Sequence, residues 1–184
     1  MVHVVPNFVY AALTFGEHRD QHVYAYTSDV FNYSLLCFLF LHHNFQSKLF
    51  SDLVGIDFPD RQNRFQLISN ILSVVYHHRI FVVIWNNELS TVSSVSSLHP
   101  SAVWFEREVW DLFGVHFYNN ADLRRILTDY SFNGHPLRKD FPLSGFVELF
   151  YNYKVDSVVY REVSLVQEYR NFQLSSPWEY LANS

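Results

Sequence analysis

The chain has 184 residues and a formal net charge of −5; 49% of its residues are hydrophobic and 17% are charged. This length is typical of one domain, or of one domain with an appended segment, and the acidic balance excludes a global field that attracts polyanions. Cys37 is the only cysteine, which excludes an intrachain disulfide, a cysteine-ligated iron–sulfur cluster and every paired-cysteine zinc motif.

The surplus of apolar residues is aromatic, with 18 Phe, 12 Tyr and 4 Trp. Many aromatic residues with few charges are typical of the buried centre of a protein interface. An AT-biased genome, which favours the codons for Phe and Tyr, would produce the same composition. Both interpretations stay open at this point.

The first 28 residues alternate weakly and predict no definite element. From Ser28 and Asp29, which can cap a helix start, we predict a helix with a wide apolar face that runs to about Leu49. Its apolar run LLCFLFL spans only about a third of the roughly 20 residues that a membrane helix needs, so it indicates a buried helix. The opening MVHVVPNFVY lacks the marks of a signal or transit peptide, which predicts synthesis inside an organelle if the protein works in one.

Three strands are predicted next, in LFSDLVGIDF, RFQLISNILSVV and RIFVVIWNN, and the last two are joined closely enough for a hairpin. After a Ser-rich loop, a second helix opens at Pro100 or Ser101 and ends at Phe113, before Gly114. On this helix Arg107 and Asp111 have the spacing of an i,i+4 ion pair. The predicted fold class is α/β of the α+β type, a mixed or antiparallel sheet covered by helices.

Beyond Tyr118 the sequence contains turns and no apolar period. We therefore divide the chain into a globular domain, residues 1–120, and a C-terminal segment, residues 121–184. The segment includes a predicted hairpin in VELFYNYKVDSVVYREV that turns near residues 154–157. The final residues are too few to form a core, so we expect them to be ordered only where they lie on their own domain or on a neighbour.

Motifs for small-molecule chemistry are weak. The five glycines are too widely spaced for the dinucleotide fingerprint or the P-loop, which excludes both. His18 and His22 are four residues apart, as two metal ligands on a helix would be. No third ligand is marked, and solvated surface histidine is the preferred interpretation.

A charged cluster on the second helix admits two interpretations. Three carboxylates and one guanidinium occupy one short segment, and an acid–base enzyme could use such groups if burial separated their pKa values. Nearby arginines favour a structural ion network instead. The alternative enzyme would use Glu106, Glu108, Asp111 and His135.

Two basic pairs, Arg124-Arg125 and Arg138-Lys139, stand among aromatic residues and could suggest a nucleic-acid site. Nearby aspartates nearly cancel their charge, whereas phosphate binding depends on an uncancelled basic patch. The sequence therefore predicts no nucleic-acid partner.

The segment Trp104 to Phe146, WFEREVWDLFGVHFYNNADLRRILTDYSFNGHPLRKDFPLSGF, resembles the hallmark region of the 30-kDa subunit of respiratory complex I. In mitochondria this family is also called subunit 9 of NADH dehydrogenase. The likeness extends over about residues 64–179, including SPWE near the end, and Asn120 replaces the family's usual His or Lys. The signature positions, our candidates for an interface, are Glu106, Arg107, Glu108, Asp111, Arg124, Arg125, His135, Pro136, Arg138, Lys139 and Asp140.

The resemblance implies a non-catalytic structural and assembly subunit in the matrix-side peripheral arm of NADH:ubiquinone oxidoreductase, at the mitochondrial inner membrane. The implied partner is the large quinone-site subunit of the 49-kDa type, in an obligate hetero-oligomer, and the implied fold is a compact α/β domain with a long extended C-terminal arm. FMN, the iron–sulfur clusters and quinone would belong to other subunits of this proton-translocating enzyme. A plastid or hydrogenase-type complex could use the same scaffold, but SPWE and HPLRKDFP favour mitochondria.

The stretch HPLRKDFPL places three charges between two prolines. Pro136 and Pro142 stiffen the backbone and lower the entropy that docking would cost. We expect Arg138, Lys139 and Asp140 to be presented either to the ion network of the domain itself or to a partner surface.

Overall fold

A computed structural model describes residues 9, 11–15, 22–172 and 174 of the chain. The chain divides into two compact units, Met1–Leu143 and Ser144–Ser184. Residues 121–143, which the sequence placed with the C-terminal segment, therefore lie in the first unit.

The described part of the first unit forms the five strands of a main sheet, two helices and a pair of two-residue strands. These elements are β1 (Ala11–Phe15), β2 (His22–Thr27), α1 (Asp29–Leu41), β3 (Leu49–Asp57), β4 (Phe65–Ser73), β5 (His78–Asn86), β6 (Val92–Ser93), α2 (Ala102–Phe113) and β7 (Phe117–Tyr118).

The main sheet has the strand order β1-β2-β5-β4-β3. The pair β2 and β5 is parallel, and the other neighbours are antiparallel, with Ile71 opposite Ile80 in the β4–β5 hairpin. A parallel pair needs a long crossover connection, which α1, β3 and β4 supply between β2 and β5. The predicted mixed sheet and the β4–β5 hairpin are confirmed.

Both helices pack on one face of this sheet. The strand β4 alternates regularly between buried and half-buried positions, as a strand with one covered face should. Its buried side chains join Leu35, Leu36 and Leu39 of α1 and Val109 and Phe113 of α2 in a single core cluster. The predicted second helix is confirmed with its C-terminal end at Phe113.

The first helix ends earlier than predicted, at Leu41 instead of about Leu49. His42 is extended, and Gln46 has a positive φ of 44°, so the chain reverses before β3 begins. The ring of Phe45 returns to within 5.9 Å of the ring of Phe38, which lets the apolar character continue through the turn without a helix. Apolar content alone therefore overestimated the length of the helix.

The second unit contains β8 (Val147–Asn152) and β9 (Ser157–Glu162), an antiparallel pair that turns through residues 153–156. This confirms the predicted hairpin. The signature SPWE, residues 176–179, lies outside the described residues, as does the rest of the predicted arm beyond residue 174. Within the described ranges, neither helix has the length and apolar character needed to cross a bilayer.

Candidate functional site

The carboxylate of Glu106, on the first half of α2, binds three neutral groups. It accepts hydrogen bonds from the Ser94 hydroxyl (2.6 Å), the Val95 backbone N–H (2.8 Å) and the Asn120 side-chain amide (2.6 Å). Glu106 is only 1% exposed. Burial raises the pKa of this carboxyl, while the bonds from Ser94, Val95 and Asn120 oppose the rise.

The Asn120 departure therefore has a structural meaning. The side chain at this position reaches the Glu106 carboxylate, and here it offers an amide without charge. Among the residues that the structure describes, no cation pairs with Glu106. The buried acid is held by dipoles alone.

The guanidinium of Arg107 binds main-chain carbonyls. Its Nε donates to the Arg124 oxygen (3.2 Å) and its Nη2 to the Arg125 oxygen (3.4 Å), while the Trp104 ring centroid lies 5.0 Å from its Cζ. The predicted ion pair between Arg107 and Asp111 was wrong. Each of the two side chains instead binds backbone groups of the segment that follows α2.

The carboxylate of Asp111 is fully buried and saturated with donors. It accepts from the Ile126, Leu127 and Thr128 backbone N–H groups at 3.2, 2.7 and 2.8 Å, and from the Thr128 hydroxyl at 2.6 Å. The Arg125 guanidinium adds an ion pair at 3.2 Å. Burial would raise the pKa of Asp111, but the bonds from Thr128, Leu127 and Ile126 outweigh it, so the pKa is lowered.

The GHPLRKD turn closes the C-terminal end of α2. Its groups reach the last helical carbonyls in order: His135 Nδ1 lies 3.0 Å from the Asp111 oxygen, Leu137 N–H donates to Leu112 (3.1 Å), and Arg138 Nε donates to Phe113 (2.6 Å). A helix end leaves these carbonyls unpaired, and a cation there also complements the helix dipole. The turn therefore acts as a C-cap supplied from 24 or 25 residues downstream.

Gly114 makes this close approach possible. It has φ of 78°, in the left-handed region, and a Cβ at this position would lie 2.6 Å from both Arg138 Nη2 and His135 Nε2. Only a residue without a side chain meets both requirements. Sequence reasoning identified this glycine as a helix stop and missed its second role.

A second ion network anchors the same turn to the β3–β4 hairpin. Asp57 pairs in a bidentate manner with Arg64 (2.7 and 2.9 Å) and accepts the Lys139 backbone N–H (2.8 Å). Arg64 also contacts Asp140 (3.0 Å), and Glu88 pairs with Arg138. The hydrogen bond from Arg64, ahead of the opposing effect of burial, lowers the pKa of Asp57.

The remaining signature side chains point outward or are half-buried. Glu108, Arg124, Lys139 and Asp140 are exposed, and Pro136 is half-buried. Of the alternative acid–base set, Glu106 and Asp111 bind different segments of the chain, Glu108 faces solvent, and His135 faces the carbonyl end of α2.

Several residues of the site carried no sequence signal. Asp57 and Arg64 become partners of Asp140 and Lys139 only through tertiary folding, and Ser94 stood in a stretch that reads as an ordinary loop. The candidate metal pair His18 and His22 falls outside the described side chains. Among the residues that are described, no three His, Cys, Asp or Glu side chains form a group that could hold a metal ion.

Comparisons with known proteins agree with this signature region. A family model described as "Respiratory-chain NADH dehydrogenase, 30 Kd subunit" matches residues 28–147. A protein of Arabidopsis thaliana named NADH dehydrogenase (ubiquinone) iron-sulfur protein 3 is 51% identical over 153 residues, covering 83% of this chain and 80% of its own. A protein of the same name from Oryza sativa subsp. japonica is 51% identical over 154 residues, covering 84% and 81%.

A solved structure resembles the fold at lower identity. It is that of the membrane-bound sulfane sulfur reductase, an archaeal respiratory membrane complex, and one of its chains matches with a TM-score of 0.62 and 21% identity. The match covers 77% of this chain and 81% of the other. At that identity the likeness shows the fold alone.

Replacing Asp111 with Asn is expected to lower the free energy of unfolding by about 3–5 kcal/mol. In the variant the side-chain NH2 of Asn would replace one carboxylate oxygen, so a donor would face the donors that this oxygen now accepts from. Glu108→Gln is the matched control on the exposed side of the same helix, with an expected change within about 0.5 kcal/mol. Urea unfolding read by pulse proteolysis of this chain measures both. Equal effects of the two substitutions would contradict the assignment.

Acidification is expected to weaken the cap at the end of α2. Burial, with smaller contributions from Arg138 and Arg125, lowers the pKa of His135 below its usual 6.5. As the pH falls below 6.5, His135 takes up a proton more readily in the unfolded chain than in the folded chain. The stabilisation is therefore fully present above pH 6.5 and is lost as the pH falls through the lower pKa of the folded state. His135→Gln should reduce the slope with which the free energy of unfolding changes between pH 7 and 5. An unchanged slope in the His135 variant would refute this role.

Proposed function

Because the chain belongs to the 30-kDa subunit family of respiratory-chain NADH dehydrogenase, we propose that it is a non-catalytic structural and assembly subunit of NADH:ubiquinone oxidoreductase, complex I. Electron transfer from NADH to ubiquinone, coupled to proton pumping, is then a property of the whole assembly. The chain's contribution is a surface of fixed shape.

The observation that supports this role most strongly is how the buried ionic groups of α2 are bound. Glu106, Arg107 and Asp111 all bind groups of their own chain, mostly backbone N–H and C=O groups. Asp111 accepts five hydrogen bonds, which fills the roughly four lone-pair sites of a carboxylate. A group engaged in this way orders the segments around it and has no capacity left for a substrate.

The ordered segments present apolar side chains to solvent. In the stretch that Asp111 and the C-terminal cap hold in place, Leu127 is 60% exposed, Tyr130 96% and Leu137 52%. Exposed apolar side chains on a fixed backbone lose little entropy on association. We propose that this stretch is part of a contact with other subunits of the complex.

The hairpin of the second unit offers another contact. Its register places five large apolar side chains on one face, each about half exposed or more, and a hairpin of two strands alone is marginally stable in water. We propose that this face is covered by the large quinone-site subunit of the 49-kDa type, which makes the chain an obligate hetero-oligomer. The side chains are Val147, Leu149, Tyr151, Val158 and Tyr160.

We propose that the chain holds no FMN, quinone or iron–sulfur cluster of its own. Its plant relatives are named iron-sulfur proteins, but clusters are held by several cysteine thiolates, and this chain has only Cys37. We also propose that it lies in the matrix-side arm at the mitochondrial inner membrane, in line with the name NADH dehydrogenase (ubiquinone) that its plant relatives carry. Synthesis inside the organelle stays a prediction.

The proposal is tested by substitutions in the capping turn. Arg138→Ala removes both the hydrogen bond to the Phe113 carbonyl and the ion pair with Glu88. The amount of assembled complex should therefore fall several-fold, because a loss of about 1–2 kcal/mol in folding stability commonly changes the abundance of a protein by that much. Asp140→Ala should have a smaller effect, because Arg64 keeps its bidentate pair with Asp57. Native electrophoresis with mass spectrometry measures assembly, and NADH:ubiquinone activity is divided by the amount of complex.

Two controls separate structure from chemistry. Lys139→Ala leaves the backbone bond to Asp57 intact and should assemble normally. Arg138→Lys should fail to restore assembly, since an ammonium cannot reach the Phe113 carbonyl and Glu88 with the geometry of a planar fork. Normal assembly with slowed electron transfer in the Arg138→Ala complex would show instead a direct part in the reaction.

A further inference from the structure

A surface pocket lies where the parallel strands β2 and β5 end and α1 begins. Its volume is about 360 Å³, which is within the range of pockets that bind organic ligands. Tyr26 pairs with Val83, so Tyr26 and Trp85 lie on the same face of the sheet. The pocket combines these two aromatic rings with a carboxylate and neutral polar groups, and its lining includes Tyr26, Trp85, Asp29, Ser28, Asn63 and Asn87.

Asp29 sets the charge of the pocket. It is the only charged residue among those of the described structure that line the pocket. Its Oδ1 accepts the Val30 N–H at 2.9 Å, and no cation of the described residues forms an ion pair with it. The start of α1 stabilises this carboxylate, whereas a second anion beside it would be repelled. The pocket therefore favours a cationic ligand.

The remaining lining groups suit a planar cation. A guanidinium stacks on the faces of Trp and Tyr rings and carries five donors in one plane. The Trp85 ring already attracts such a group, because the Cζ of Arg61 lies 4.7 Å from its centroid. Ser28 has an extended backbone and its hydroxyl does not cap α1, so this hydroxyl can accept a hydrogen bond beside Asp29. An arginine side chain matches these groups better than an ammonium does.

The side chains next to the pocket are apolar and exposed. Val30, which follows Asp29, is 72% exposed, and Leu89, which stands between the lining residues Asn87 and Ser90, is 94% exposed. A small cation in the pocket would leave both apolar side chains in water, whereas a protein surface would cover them. Hot spots of protein interfaces have this arrangement, with an Arg, Trp or Tyr in a pocket and surrounding contacts that exclude water.

We propose that the pocket binds an arginine side chain of a neighbouring subunit of the complex. The guanidinium pairs with the Asp29 carboxylate, stacks on the aromatic wall and donates to the Ser28 hydroxyl, while the segment that carries it covers Val30 and Leu89. This contact rests on the proposed function, since it assigns the chemistry of a partner to a surface of the subunit. None of the lining residues belongs to the signature positions, so the contact is separate from the signature region.

The direct test is a cryo-electron microscopy map of the assembly that resolves side chains. We expect the guanidinium of another chain within about 4 Å of the Asp29 carboxylate. A pocket that is open to solvent, or is filled by a lysine, by Arg61 or another part of this chain, or by a free molecule, would overturn the inference and leave the proposed function intact. If the chain were missing from the complex altogether, both would be refuted.

A cation placed in the pocket gives a second readout that leaves α1 unchanged. Asn63→Lys should make the chain leave its assembly about ten-fold faster or more, because the loss of an anchoring contact acts mainly on dissociation. Gln62→Lys is the matched control, exposed in the same turn but outside the lining, and should dissociate as the wild type does. Native electrophoresis during timed incubation of the complex in moderate salt measures the release. Equal release rates of the two variants would refute the contact.

Removal of the charge provides an independent variant. Asp29→Asn keeps an acceptor for the Val30 N–H but cannot form the ion pair, so it should also speed release in the same assay. Asp52→Asn is its control, because the Asp52 carboxylate makes the same type of bond to the N–H of the next residue, Leu53. Release of the Asp29→Asn chain at the rate of the Asp52→Asn chain would contradict the proposed ion pair.

Discussion

The carboxylate of Asp111 binds the backbone of residues 126–128 to the buried face of α2, and the arrangement of the signature region follows from this contact. Buried polar groups must be paired, and α2 carries three ionic ones, Glu106, Arg107 and Asp111. Their partners come from segments without regular secondary structure. A short helix therefore fixes loops that have no ladder of hydrogen bonds of their own.

The C-terminal end of α2 extends the same principle. Its carbonyls at residues 111–113 receive His135, Leu137 and Arg138 in turn, and the adjoining pair of Asp57 and Arg64 anchors the next residue of that turn to the sheet. The charges of Arg138 and Asp140 thus serve the domain's own ion network, one of the two roles that the composition of the turn allowed. What remains for a partner is the outward side of these loops, where apolar side chains are exposed. This division suits a subunit that contributes shape to a larger enzyme.

Much of the fold could be read from the sequence, because its strands and second helix carry clear periodicities. The alternation in β4 and the apolar stripe of α2 both reflect one covered face. The end of α1 could not be read, since apolar residues continue through the turn at Phe45. The partners in the site could not be read either. The i,i+4 spacing of Arg107 and Asp111 suggested a pair, but backbone groups 15 to 18 residues away bind both side chains instead. Asp57 and Arg64 join the site only through tertiary contact.

Amide hydrogen exchange at residues 126–128 tests the central claim most directly, because these residues belong to no helix or strand. If the Asp111 carboxylate holds their N–H groups, their exchange in the assembled protein should be slow, comparable to that of core strands, and much slower than in the turn at residues 153–156. Exchange at those three amides as fast as in that turn would contradict the account.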